Sequence, residues 1–120
     1  MNRKRYIVEL GMGADLHGGN VTKAAQKAVK DAMSRSCLCG LFDIVNIRDP
    51  GQMQVEVKLG CPQPEKVNID EVKRAVPFGS VTVETVAGGI DVKGLKLPAL
   101  GEGDTIVVAV AALTVYIDVP

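Results

Sequence analysis

The chain has 120 residues, of which 47% are apolar and only 3% aromatic, and its 14 basic residues balance its 14 acidic residues. This length predicts a single domain over residues 1–120 with an aliphatic core. Neutral charge and few aromatic side chains argue against a nucleic-acid or membrane partner, and the longest apolar run, 106–113, is too short to cross a bilayer. Three cysteines without a secretory signal predict free thiols and a cytoplasmic location.

The first predicted element is a strand that begins at Tyr6. Residues 6–16 alternate, with apolar side chains on the even positions and mostly glycine or polar residues on the odd positions. A period of two is typical of a strand with one buried face, so we expect the even positions to face the core. Because four glycines follow in residues 11–20, we expect regular pairing to end near Leu10 and a partly extended loop to follow.

A helix is predicted directly after this loop. Apolar residues spaced three and four apart form one continuous stripe from Val21 to Met33. Asn20 stands just before it and can act as the N-cap, because its side-chain oxygen can accept a free first-turn N–H. Most of the stripe is alanine, which allows a close approach to a sheet.

The remaining predicted elements are three strands and a short second helix. Strands are expected over 55–59, 81–84 and 105–119, and Asn68 caps the helix between the first two. Residues 88–103 carry five glycines and predict a loop or a loose hairpin. The expected fold class is α+β: a two-layer α/β sandwich with a four-stranded mixed sheet, two helices on one face and the order β-α-β-α-β-β.

The last strand also predicts a partner. From Ile106 to Leu113 both alternating sets of residues are apolar, which indicates burial on both faces. Two helices can cover only one face of a four-stranded sheet. We therefore expect a homo-oligomer in which another copy covers the second face, because monomers rarely expose large apolar patches. The alternative is that the glycine-rich segment 88–103 folds over that face.

The segment GMGADLHGGN, residues 11–20, is the predicted functional site, and it contains the only histidine of the chain. Asp15 and His17 are two residues apart, so in extended backbone their Cα atoms lie about 6.5–7 Å apart. Both side chains could then reach one divalent transition metal or one substrate proton, which makes them the predicted catalytic residues and metal ligands. A metal would need a third ligand, expected from Glu9, Glu84, Asp91 or a neighbouring subunit.

The backbone amides of the same loop are predicted to hold an anionic or carbonyl group of a small molecule. The predicted ligand-binding residues are Gly11, Gly13, Gly18, Gly19 and Asn20. Neither nucleotide fingerprint is met, because Leu16 stands where the dinucleotide motif needs glycine and Gly19-Asn20 replaces the Lys-Ser/Thr of the P-loop.

Three functions remain open for this loop. The first is a small-molecule or metal site, enzymatic or not. The second is a non-catalytic, homo-oligomeric ligand-binding or regulatory protein. The third is a structural loop at a subunit interface, in which Asp15 caps the turn and His17 bonds to a backbone carbonyl. The sequence does not decide whether the protein is an enzyme.

The cysteines give a weaker signal. Cys37 and Cys39 are separated by one residue, which is not the spacing of zinc or redox motifs, and Cys61 stands alone. A zinc site completed by His17 is one alternative, but small buried apolar residues are the favoured interpretation.

The pattern Gly11-x-Gly13-x-Asp15-x-His17-Gly18, followed by the helix start Thr-Lys-Ala-Ala at residues 22–25, resembles a small uncharacterised family of bacteria and plant plastids. The resemblance extends over the whole chain, and the motif matches at every defining position. Because that family has no assigned reaction, the resemblance implies a location for the site and no chemistry.

Overall fold

The computed structural model describes residues 2–97, 99 and 103–119. In this part of the chain a mixed sheet is combined with short and long helices. The strands are β1 (Asn2–Asp15), β2 (Gln54–Cys61), β3 (Ser80–Ala87), β4 (Ile90–Lys93) and β5 (Thr105–Val119), and the helices are α1 (Val21–Ser34), α2 (Cys39–Asp43) and α3 (Ile69–Lys73). Single 3-10 turns lie at Pro50–Gln52 and Pro64–Lys66. None of the described helices is long and apolar enough to span a membrane.

Strand β5 organises the sheet, whose order is β1-β5-β2-β3 with β4 also paired to β5. β1 pairs along nearly all of β5, while β2 and β4 share its other edge. β2 and β3 are parallel and all other pairs are antiparallel. The α+β class and the mixed sheet are confirmed. The predicted four strands and the order β-α-β-α-β-β are wrong, because β4 forms inside the expected loop and α2 adds a one-turn helix.

Helix α1 packs its alanine stripe directly on the glycines of β1. Ala24 and Ala28 are fully buried. A Cβ atom built on Gly13 would lie 2.6 Å from the carbonyl oxygen of Ala24, and one built on Gly11 would lie 2.5 Å from that of Ala28. No real Cβ atom tolerates such a contact, so glycine is required where the helix backbone rests on the strand.

The predicted orientation of β1 is wrong. The odd positions face α1, whereas Val8, Leu10 and Met12 point away from it and are 47%, 64% and 53% exposed. Alternation separates the two faces of a strand without saying which face meets the helix. The strand also continues past Leu10 to Asp15, because Gly11 and Gly13 still pair with Ala111 and Ala109 of the central strand.

The core lies between the helices and the odd-numbered side chains of β2 and β5. Its largest fully buried side chains are Val29, Leu41, Val57, Leu59, Cys61, Val72, Leu113 and Val115. The sheet face that carries these side chains is therefore covered by the chain itself.

The opposite sheet face, which we call the open face, is apolar and exposed. Register places its residues side by side on three strands: Val8, Leu10 and Met12 of β1, Val108, Val110 and Ala112 of β5, and Ile90 and Val92 of β4. Val110, at the centre, is 46% exposed, and Ile90 is 58% exposed. Both faces of β5 are thus apolar, as the sequence predicts, but β4 extends the sheet instead of folding over this face.

The outer edge of β1 is held by side chains of α1. Asp31 accepts a hydrogen bond from the backbone N–H of Met12 (2.9 Å), and the Lys27 ammonium donates to the carbonyl of Ala14 (3.0 Å). Arg35 forms an ion pair with Asp31 at 2.7 Å. The Met12 N–H, aided by Arg35, lowers the pKa of the Asp31 carboxyl. Two backbone groups that no neighbouring strand uses are thereby satisfied.

Candidate functional site

The loop between β1 and α1 is closed by its own polar side chains. The carboxylate of Asp15 accepts a hydrogen bond from the backbone N–H of Asn20 at 2.7 Å, and the Asn20 side chain caps α1 by accepting from Lys23 N–H at 3.0 Å. Gly18 and Gly19 have φ values of 94° and 60°, a region that favours glycine. Asp15 therefore has a structural partner inside the loop.

His17 is half-buried, and its Nδ1 atom is buried without a hydrogen-bond partner among the described residues. A buried polar nitrogen without a partner is uncommon in native proteins and needs an explanation. If the loop were purely structural, His17 would be expected to bond to a backbone carbonyl. At its Nδ1 atom, no such bond is found among the described residues.

The expected third metal ligand does not lie beside Asp15 and His17. Register puts Asp91 two strands from Asp15, about 10 Å away between Cα atoms. Glu9 is six residues along β1, about 20 Å away, and Glu84 belongs to the open face through its pairing with Lys58 of β2. In the described ranges, no three His, Cys, Asp or Glu side chains gather as metal ligands.

The predicted ligand-binding residues fall into two groups. Gly11 and Gly13 lie under α1, and their contact with the helix backbone accounts for them without a ligand. Gly18, Gly19 and Asn20 stay at the loop surface or half-buried at the start of α1. The loop motif thus combines two packing glycines with a surface turn.

A cavity among the described residues lies elsewhere, between the sheet, the end of α1 and helix α2. Its volume is about 580 Å³, within the range of about 300–1,000 Å³ that is typical of ligand sites. It is lined by Glu9, Met33, Ser36, Cys37, Leu38, Cys39, Leu41, Phe42, Asp43, Pro50, Met53, Val55, Val76, Pro77, Phe78, Leu113 and Val115. The lining is thus mostly apolar, with a few polar groups.

Glu9 is the buried polar group of this cavity. It is only 8% exposed, because its odd position in β1 turns it toward the helix side of the sheet. One carboxylate oxygen accepts a hydrogen bond from the hydroxyl of Ser36, in the segment after α1. None of the ion pairs among the described residues includes Glu9. A buried carboxylate without a basic partner is unusual, since burial of a charge is costly.

Accessible thiols and aromatic rings also line the cavity. Phe42 and Phe78 are 41% and 39% exposed. Cys37 and Cys39 are exposed free thiols, whereas Cys61 is buried in the core, so the expectation of buried cysteines is correct for Cys61 alone. Burial, with a smaller contribution from the acidic Glu65, raises the pKa of the Cys61 thiol. Reagents that attack thiolates will therefore meet Cys37 and Cys39 first.

A model of the conserved hypothetical protein family Lin0512 matches residues 5–115. The chain belongs to this family. It is also similar to a solved structure from Nostoc punctiforme PCC 73102, described as an FtsZ-like protein of unknown function. The two share 39% identity over 99% of each chain, with a TM-score of 0.89. No curated protein sequence matches the chain. Membership of an uncharacterised conserved family is thus confirmed, and the matched range includes both the loop and the cavity.

The cavity of this Lin0512 family member was missed by sequence analysis because its walls come from segments far apart in the chain. One signal was available in the sequence: Glu9 is an acidic residue at an odd position of β1, on the same face as the two packing glycines. Had the glycines been assigned to the helix contact, Glu9 would have been predicted as buried.

Proposed function

We propose that this protein is a homo-oligomeric, small-molecule-binding protein whose ligand occupies the cavity above Glu9. The observation that carries this proposal is a cavity of about 580 Å³ with apolar walls and one buried carboxylate. Sites for small molecules combine apolar walls with a few polar groups that orient the ligand. The proposed ligand site thus lies at the opposite end of α1 from the Gly11–Asn20 loop, where the sequence predicts it.

Binding without turnover is the activity that this lining favours. The side chains offer two acids, one hydroxyl and two thiols, and no Lys, Arg or His is among the cavity residues given above. The Ser36 hydroxyl is already bonded to Glu9. The buried Glu9 carboxylate supplies the anchoring point for a ligand, and the apolar walls supply most of the contact area.

Binding can be tested with Nile red, a neutral dye whose emission shifts to the blue in apolar surroundings. We expect saturable binding of one dye per chain, measured by fluorescence titration. Alkylation with N-ethylmaleimide should abolish this binding, because the modified Cys37 and Cys39 side chains would fill part of the cavity.

The matched control is the double variant Cys37→Ser, Cys39→Ser. It should bind Nile red like the wild type and keep that binding after N-ethylmaleimide treatment, because the remaining Cys61 is buried. Dye binding that survives alkylation of the wild-type protein would place the dye elsewhere, for example on the open face, and would contradict the proposal.

Self-association through the open face is the second part of the proposal. Six of its side chains are between 42% and 64% exposed, and they supply much of the roughly 800 Å² that each partner buries in a standard interface. The radius of gyration, 16.2 Å, exceeds the value of about 14 Å for a compact chain of this length. Such an extended shape leaves a large surface that a further copy can cover.

The polar residues beside the open face favour two copies related by a two-fold axis. Lys58 of β2 and Glu84 of β3 are register partners, so a cation and an anion lie side by side at the border of the apolar area. A two-fold arrangement can bring each Lys58 toward the partner's Glu84. A groove of about 630 Å³ over Gly60 and Val110 offers space for side chains of the second copy.

A second candidate site is the loop itself, favoured by the buried Nδ1 of His17, for which the described part of the chain offers no hydrogen-bond partner. As a metal site for assisted catalysis or proton transfer it would use Asp15 and His17, with a further ligand from another copy. This candidate predicts about one transition-metal ion per chain in gently purified, untagged protein and its loss in His17→Gln, measured by elemental mass spectrometry. Metal-free wild-type protein would contradict it.

A further inference from the structure

The charged side chains of the cavity have one sign. Among the described residues that line it, Glu9 and Asp43 are the only charged ones, and both are acidic. Glu9 lies deep, at 8% exposure, whereas Asp43, at the end of α2, is exposed. An anionic ligand would therefore be repelled inside the cavity, while a cationic ligand would be attracted.

Glu9 also has unused capacity to accept hydrogen bonds. An ionised carboxylate can accept about four hydrogen bonds, and the structure gives Glu9 one, from the hydroxyl of Ser36. Its removal from water is costly unless a positive group compensates. Among the described residues no Lys or Arg makes an ion pair with it, so the carboxylate is available to bond to the cationic group of a ligand.

The rest of the cavity fits an apolar body attached to that charge. Met33 and Met53 have flexible side chains that adapt to irregular ligands. Phe42 and Phe78 expose part of their rings to the ligand space, and aromatic faces attract organic cations. A simple metal ion would leave these apolar walls unused.

We propose that the ligand is an amphiphilic organic cation, an ammonium or amidinium group on an aliphatic or aromatic body, with Glu9 as its counter-ion. This proposal rests on the proposed function, because it names the ligand class of the same cavity. The charged group bonds to the Glu9 carboxylate beside Ser36, and the apolar body lies against the walls. Charge-assisted hydrogen bonds of this kind are stronger than neutral ones.

The test compares three probes of equal chain length: octylammonium, octanol and octanoate. Each is titrated into the wild-type protein with Nile red bound, and dye displacement is followed by fluorescence. We expect octylammonium to displace the dye at a concentration about tenfold lower than octanol, and octanoate to be the weakest, because a charge-assisted hydrogen bond contributes roughly one decade in affinity.

Two variants localise the effect. In Glu9→Gln, the octylammonium concentration needed to displace the dye should rise to the value for octanol. The octanol concentration should stay unchanged, which also shows that the variant keeps its cavity. Glu65→Gln removes an exposed acid that does not line the cavity, so it should change the octylammonium value by about twofold or less, since exposed charges are screened.

If octanol or octanoate displaced the dye from the wild-type protein as well as octylammonium does, the cationic ligand class would be overturned. The cavity would remain a binding site. Failure of all three probes to displace the dye would overturn the proposed function together with the ligand class. An octylammonium preference that persists in Glu9→Gln would show that Glu9 is not the counter-ion.

Discussion

Gly13→Ala is expected to lower the free energy of unfolding by about 3 kcal/mol, at the upper end of the cost of overpacking a core. The added Cβ would lie 2.6 Å from the carbonyl oxygen of Ala24 and would push α1 away from the sheet. The loss should appear in urea unfolding followed by circular dichroism, and the melting temperature should fall by on the order of 10 °C.

The control for this substitution is Gly51→Ala. Gly51 is exposed, and the nearest atom to its added Cβ is a carboxylate oxygen of Asp49 at 3.2 Å, on a side chain that can move. Its unfolding free energy should stay within about 0.5 kcal/mol of the wild type. If Gly13→Ala were equally mild, the close contact between α1 and β1 would not be the reason for glycine at this position.

Leu10→Lys should convert the oligomer into single chains of 12.7 kDa. Leu10 is 64% exposed in the isolated chain, so lysine there costs little in a monomer but places a charge within the proposed interface. Size-exclusion chromatography with light scattering gives the mass directly. The wild type should elute at a multiple of the chain mass, and the variant at the chain mass itself.

Ile44→Lys is the matched control, because Ile44 is even more exposed, at 83%, and follows α2, away from the open face. It should keep the mass of the wild type. A monomeric wild type, or an assembly that Leu10→Lys leaves intact, would contradict self-association through the open face.

Helix α1 could be predicted accurately because its signals are local. The apolar stripe, the Asn20 cap and the alanine content are all read within one segment, and the observed helix runs from Val21 to Ser34 with Asn20 as its cap. The last strand was predicted for the same reason, since the segment Thr105–Val119 is rich in β-branched residues. Local signals of this strength leave few alternatives.

The orientation of β1 could not be predicted because it depends on a contact between two elements. Leu10 and Met12 have large apolar side chains, and such side chains usually mark the buried face of a strand. The helix instead selects the face with glycines, since its alanine surface approaches the strand backbone. Tyr6 and Ile7 still pack against the core, but Val8, Leu10 and Met12 are left exposed on the open face.

The candidate site was predicted in part only. Clustering of glycine around Asp15 and His17 drew attention to the loop, and two of those glycines, Gly11 and Gly13, are explained by helix packing. The cavity depends on Glu9, on the end of α1 and on residues near Phe78, which no local pattern connects. Short helix α2 helps to enclose it, and a single turn has no periodicity to detect.

The hydrogen bonds from Asp31 and Lys27 to the edge of β1 limit how copies of this chain can add to one another. An exposed strand edge is a template on which a foreign strand can continue the sheet, and repetition of that step leads to fibrils. At Met12 and Ala14 the template positions are already taken by side chains of α1. In the self-association proposed above, copies would therefore meet through the open face and not along this part of the β1 edge.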